Sequence, residues 1–120
     1  MREFYLDYDD VNELDVVRDV QRICRVIETF QCHAKVEHYL SSSTEYGAGW
    51  SADKNSYHVK IIFPSDKSFN FCLGLLLISG CDEGYKNLVL ERREFTIRVS
   101  EEVSTDGVKP KPRHVNTWYV

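Results

Sequence analysis

Phe4-Tyr5-Leu6-Asp7-Tyr8-Asp9 is the stretch on which the reading of the fold turns. Its apolar heart, residues 4–6, reads as a first strand, closed by an acidic turn over residues 7–10. A second string, Ser56-Tyr57-His58, opens another strand roughly 50 residues on, a spacing that leaves room for a helix-containing crossover. Alternate side chains of a strand point the same way. Asp7 and Asp9 therefore project from one face, and Ser56 and His58 share a face of their own strand. Paired carboxylates suit Mg²⁺ or Mn²⁺, hard cations that share oxygen ligands with a substrate phosphate. A neighbouring histidine would hydrogen-bond that phosphate.

Between the two strings lies the firmest helix signal. Asn12 reads as an N-cap with Asp15 three residues later. From there Leu14, Val17, Val20, Ile23, Cys24, Ile27 and Phe30 recur at helical spacing. Residues 35–40 alternate as a strand, with Val36, His38 and Leu40 on one side. Residues 41–55 read as a polar loop. Along residues 57–63, Tyr57, Val59, Ile61 and Phe63 face a core, with Ser56, His58, Lys60 and Ile62 opposite. Ser65 is placed to cap a second helix carrying Phe69, Cys72, Leu73, Leu76 and Leu77, widened by Leu75 and Ile78, with Gly80 at its end. Residues 81–85 read as a polar turn. Residues 87–91 and 95–99 read as strands, either a hairpin around Arg92-Arg93 or one bent ribbon. Residues 105–113 read as a loop or arm, and Trp118-Tyr119-Val120 as a short final strand or docking tail.

The order β-α-β-β-α-β fits an α+β, ferredoxin-like or RRM-like domain: a mostly antiparallel sheet with two helices on one face and its other face available. Residues 1–104 make a single α+β domain in this reading. Residues 105–120 form a C-terminal arm or edge strand packed on it. The 120 residues suffice for one core. A net charge of −4 excludes a generally basic nucleic-acid coat but leaves room for a local basic patch. Cys24, Cys32, Cys72 and Cys81 form no CxxC pair, which favours reduced core thiols and a cytoplasmic setting over zinc. No signal peptide is read at the N-terminus, and no apolar run approaches the roughly 20 residues of a membrane span.

An Asp-x-Asp string ending one strand, a Ser-x-His string on a later strand and an acidic residue after a leucine resemble the archaeo-eukaryotic primase superfamily. The stretch from Cys81 to Arg93 and the Tyr57-His58-Val59-Lys60-Ile61 strand also look like small primase-like proteins of mobile elements. The resemblance implies that Asp7 and Asp9, with Glu91 following Leu90, hold Mg²⁺ or Mn²⁺. Ser56 and His58, with Lys60 nearby, would bind nucleotide phosphate. Glu91 stands where aspartate is usual, and Asn55-Ser56 replaces the usual glycine turn. The resemblance covers about the whole chain but about half of a working primase, whose additional N-terminal unit completes the cleft.

Two functions follow as expectations. The first is a primase-palm-like protein that binds nucleotide or nucleic acid, with or without metal-dependent nucleotidyl transfer. The second is a non-catalytic protein-interaction module of a mobile element. Arg92, Arg93, Lys109, Lys111 and Arg113 are the weaker candidates for nucleic-acid contact. No nucleophile–base triad is readable, and oligomeric state is left open.

Overall fold

A computed structural model of the chain describes residues 1–40, 55–95, 102–104, 107–109 and 113–120. The elements run β1 (Glu3–Val11), α1 (Glu13–Thr29), β2 (Lys35–Leu40), β3 (Asn55–Ile62), α2 (Phe69–Ile78), α3 (Glu83–Arg92), β4 (Glu102–Ser104), β5 (Gly107–Lys109) and β6 (Arg113–Tyr119). Four of the strands form an antiparallel sheet in the order β1-β3-β2-β6, and β4 pairs β5 in a separate ribbon. The class is α+β.

Strand alternation divides the main sheet into two faces. Phe4, Leu6 and Tyr8 of β1, Val36 and His38 of β2, and Tyr57, Val59 and Ile61 of β3 are buried. They meet Val16, Val20, Ile23 and Ile27 of α1 and Cys72, Leu73, Leu75 and Leu76 of α2 in one core. The rings of Phe63 and Phe95 flank Phe4 at 6.0 and 5.4 Å, extending that core to its aromatic end. The opposite face carries Glu3, Tyr5 and Asp7 beside His58 and Lys60, all half-buried.

Local chemistry sets the helix ends. The Asn12 side chain accepts from the Leu14 N–H and starts α1 as expected. Helix α2 begins later than Ser65 implied: Ser68 is the cap, its hydroxyl accepting from the Phe71 N–H at 3.1 Å. The apolar stripe of α1 is rotated toward Val16, leaving Leu14 and Phe30 exposed, and on α2 Leu77 and Ile78 face outward. All four cysteines are free thiols, with Cys72 and Cys81 buried.

Four expectations are corrected. Residues 87–91 are helical, not a strand: they belong to α3, making three helices rather than two. A short apolar run such as Leu88-Val89-Leu90 is compatible with either state. The Asp82 carboxylate decides it locally by capping the Tyr85 N–H at 3.0 Å. Second, β1 does not stop at Asp7 but continues through a bulge to Val11. Third, the final strand is longer than residues 118–120 and lies beside β2. In a ferredoxin-like order it would lie beside β1. That edge is already taken: the Asp82 N–H donates to the Asp7 carbonyl at 2.8 Å, and Phe95, just past α3, reaches Phe4. The start of α3 thus occupies the β1 edge at Asp7, and β6 finds its backbone partners on the free side of β2. Fourth, the 105–113 arm contains strand β5 and the start of β6. The 41–54 loop and residues 96–99 of the expected second ribbon lie outside the described residues.

Candidate functional site at the Asp7–His58 corner

The two strings meet. Strands β1 and β3 pair with Asp7 opposite His58, Tyr5 opposite Lys60 and Glu3 opposite Ile62. Because the Asp7 carbonyl accepts from Asp82 on the outer edge, it points away from β3. Asp7 and His58 are therefore a non-hydrogen-bonded cross-strand pair, the kind in which side chains approach closest. His58 Nε2 stands 3.4 Å from Asp7 Oδ1. That is ion-pair distance for a protonated imidazole, yet the buried Oδ1 accepts no hydrogen bond among the described residues.

Beyond Tyr8 the ladder is irregular. Asp9 and Asp10 together oppose the single residue Ser56, a β-bulge between the Tyr8–Tyr57 and Val11–Asn55 pairs. Asp10 sits at φ 51°, the left-handed region that aspartate tolerates better than most residues. The bulge presents Asp9 to the fully buried Ser56, whose hydroxyl donates to Asp9 Oδ1 at 2.6 Å. Bulges are over-represented beside functional sites because they re-aim a side chain without ending the strand.

The corner is strongly anionic. Burial, aided by the negative charges of Asp9 and Asp82, pushes the Asp7 carboxyl up to about 7. The third carboxylate here is Asp82, the N-cap of α3 where a polar turn is expected; its signal in the sequence is an Asp-Glu pair opening a helix. Glu91 is not its substitute. It is exposed near the end of α3, nine residues after Asp82 and so roughly 13 Å along the helix at 1.5 Å per residue. Tyr85, also unanticipated, is buried in the first turn of α3.

The remaining candidates scatter. Lys60 lies on the His58 face but pairs with Glu3 at 3.1 Å. Arg93 stacks its guanidinium over the Phe69 ring at 4.7 Å, while Arg92 and Arg113 are exposed on different elements. Lys109 closes β5, its side chain outside the described set, as is Lys111 altogether.

A second cluster resembles the first in composition but not in state. Asp19 of α1 accepts from the Tyr8 hydroxyl at 2.6 Å, from Arg22 at 2.6 Å and from the Gly80 N–H at 2.9 Å. Arg22 also donates to the Ile78 carbonyl. A Cβ on Gly80 would stand 3.3 Å from Asp19 Oδ1, so close approach, not a left-handed turn, is what glycine provides there.

Among the described residues, no three His, Cys, Asp or Glu side chains gather into a metal-holding group, and no helix is long and apolar enough to cross a membrane. No protein-family model, curated protein or solved structure matches the chain.

Proposed function

We propose that the protein is a primase-palm-like domain that binds a nucleotide or a nucleic-acid phosphate at the Asp7–His58 corner. The observation that carries the reading is the meeting of the two strings, Asp7 opposite His58 in the ladder and Asp9 hydrogen-bonded to Ser56 across the bulge. The His58 imidazole is a phosphate-binding group, the buried Ser56 hydroxyl orients Asp9 by donating to it, and the carboxylates are cation-binding groups. The negative charges of Asp9 and Asp82 beside Asp7 favour a cation there. The orphaned Asp7 Oδ1 suits one ligand position. Two carboxylates are too few for a closed protein cage but enough for Mg²⁺ or Mn²⁺ that completes its shell with water and phosphate oxygens. Asp7 and Asp9 would hold it, and when bound it would neutralise phosphate charge. The ferredoxin-like relationship keeps its support in the β1-β3-β2 core of the sheet, the part that bears the site.

Titration of the full chain with Mn²⁺ in the presence of a nucleoside triphosphate tests this. Binding is expected in the wild type and is expected to vanish in Asp7→Asn/Asp9→Asn, which keeps both acceptors and removes both charges. Unchanged affinity in that variant refutes the site.

The second reading, a non-catalytic protein-interaction module, has one observation behind it. Val26 and Phe30 of α1 and its C-terminal cap line an apolar cleft of about 320 Å³ with Phe71, Gly74, Leu75 and Ile78 of α2. Phe30 is 62% exposed there. A Phe30→Asp variant that leaves Mn²⁺–nucleotide binding intact but abolishes the biological activity would favour the module.

A further inference from the structure

The ring of Tyr85 packs in the core, but its hydroxyl has no evident role in the fold. It is 7% exposed, and its hydroxyl has no hydrogen-bond partner among the described residues. The backbone places it beside the corner: its N–H is held by the Asp82 carboxylate at 3.0 Å, and the Asp82 N–H is held by the Asp7 carbonyl at 2.8 Å. Burial, then the nearby Asp7 charge, raises the proton affinity of the phenol, so it acts as a neutral donor. Leaving such a hydroxyl unmet is unfavourable, whereas phenylalanine would supply the same packing without that penalty.

The two orphaned groups at this corner are complementary in kind. Asp7 Oδ1 is an acceptor and a cation ligand; Tyr85 Oη is a donor. Neither satisfies the other. They are set for a third body that brings a positive charge to one and an acceptor oxygen to the other, and a metal-bound phosphate has both.

We propose that Tyr85 is a ligand-binding residue of this corner, its hydroxyl donating to a phosphate oxygen of the bound nucleotide. The proposal rests on the nucleotide reading above and adds a contact from α3, an element outside both sequence strings.

The test pairs calorimetric titration of Mn²⁺–ATP with melting curves recorded without ligand, on full-length wild type, Tyr85→Phe and Asp7→Asn. Tyr85→Phe is expected to bind about tenfold more weakly, the size of one hydrogen bond to a charged group, while melting at or above the wild-type temperature. Equal affinity in Tyr85→Phe, with wild type binding and Asp7→Asn impaired, overturns the role of Tyr85 and spares the site. A Tyr85→Phe melting point several degrees below wild type also overturns it, because the hydroxyl would then serve the fold. Absence of binding by wild type overturns the nucleotide reading, and this contact with it.

Discussion

Asp19 and Asp7 are both poorly exposed aspartates close to a buried tyrosine, and they are in opposite conditions. Asp19 is saturated: a phenol, a guanidinium and a backbone amide converge on its two oxygens. Asp7 has a buried oxygen that accepts no hydrogen bond among the described residues, two further carboxylates nearby and a tyrosine hydroxyl left over. The first arrangement joins α1, β1 and the turn after α2. The second holds unmet polar groups together where two strands and a helix start converge. Native folds satisfy nearly all buried polar groups, and exceptions concentrate where a ligand supplies the missing partner. Composition does not separate the two clusters; hydrogen-bond accounting does.

Four experiments press on that contrast. The largest effect is expected from Asp19→Ala, which strands the buried Tyr8 hydroxyl and removes the acceptor of the Gly80 N–H, while the half-exposed Arg22 keeps the Ile78 carbonyl. A loss of about 3–4 kcal/mol is expected, measured by denaturant unfolding. A loss below about 1 kcal/mol would show the knot to be dispensable.

Asp7→Asn is expected to act in the other direction and to depend on pH. The Asp7 carboxyl sits at about 7 in the folded chain, against an ordinary value of 3.8. The folded state therefore holds a proton that the unfolded chain releases. Its stabilising contribution is complete below about pH 3.8 and drains away as pH rises through 7. The amide copies the protonated form, so the variant gains roughly 2–4 kcal/mol over wild type at pH 8.5 and little at pH 4, at about 1.4 kcal/mol per pH unit. Parallel melting curves at the two pH values check the sign; equal shifts at both would contradict it.

Smaller again is the difference between the two tyrosines. Tyr8→Phe removes a made hydrogen bond and is expected to cost about 1–2 kcal/mol, whereas Tyr85→Phe is expected to be neutral or slightly stabilising. Matching losses in chemical denaturation would erase the distinction between the clusters. Finally, Asp10→Gly relieves a left-handed conformation and is expected to stabilise by about 0.5 kcal/mol, readable as a small rise in melting temperature. A marked loss would mean that the Asp10 side chain itself holds the bulge.

Much of this was legible in the residues. The alternation in Phe4, Leu6 and in Tyr57, Val59, Ile61 put the correct sides inward, so Asp7 and His58 emerged on one outer face. The Asn12 cap marked the first helix because a cap is a local device. What escaped was non-local or locally ambiguous. Leu88-Val89-Leu90 fits a strand until the Asp82 carboxylate is known to cap the following turn. The placing of β6 depends on which sheet edge α3 occupies, and no local pattern encodes that. Asp19 carries no local signal, since its partners Tyr8 and Gly80 are 11 and 61 residues away. Glu91 matched a motif by order along the chain, yet helical rise carries it away from the strand edge where Asp82 sits.

The bulge at Asp9-Asp10 has one more effect. Side chains in a strand alternate with a period of two, so sliding β1 by one residue along β3 would drive Asp7 into the apolar interior and turn Tyr8 out to water. An extra residue at the strand end, matched to the single Ser56, removes that alternative: only one alignment seats the bulge and closes the Asp9–Ser56 bond. The kink that re-aims a carboxylate is also the notch that fixes β1 in its place against β3.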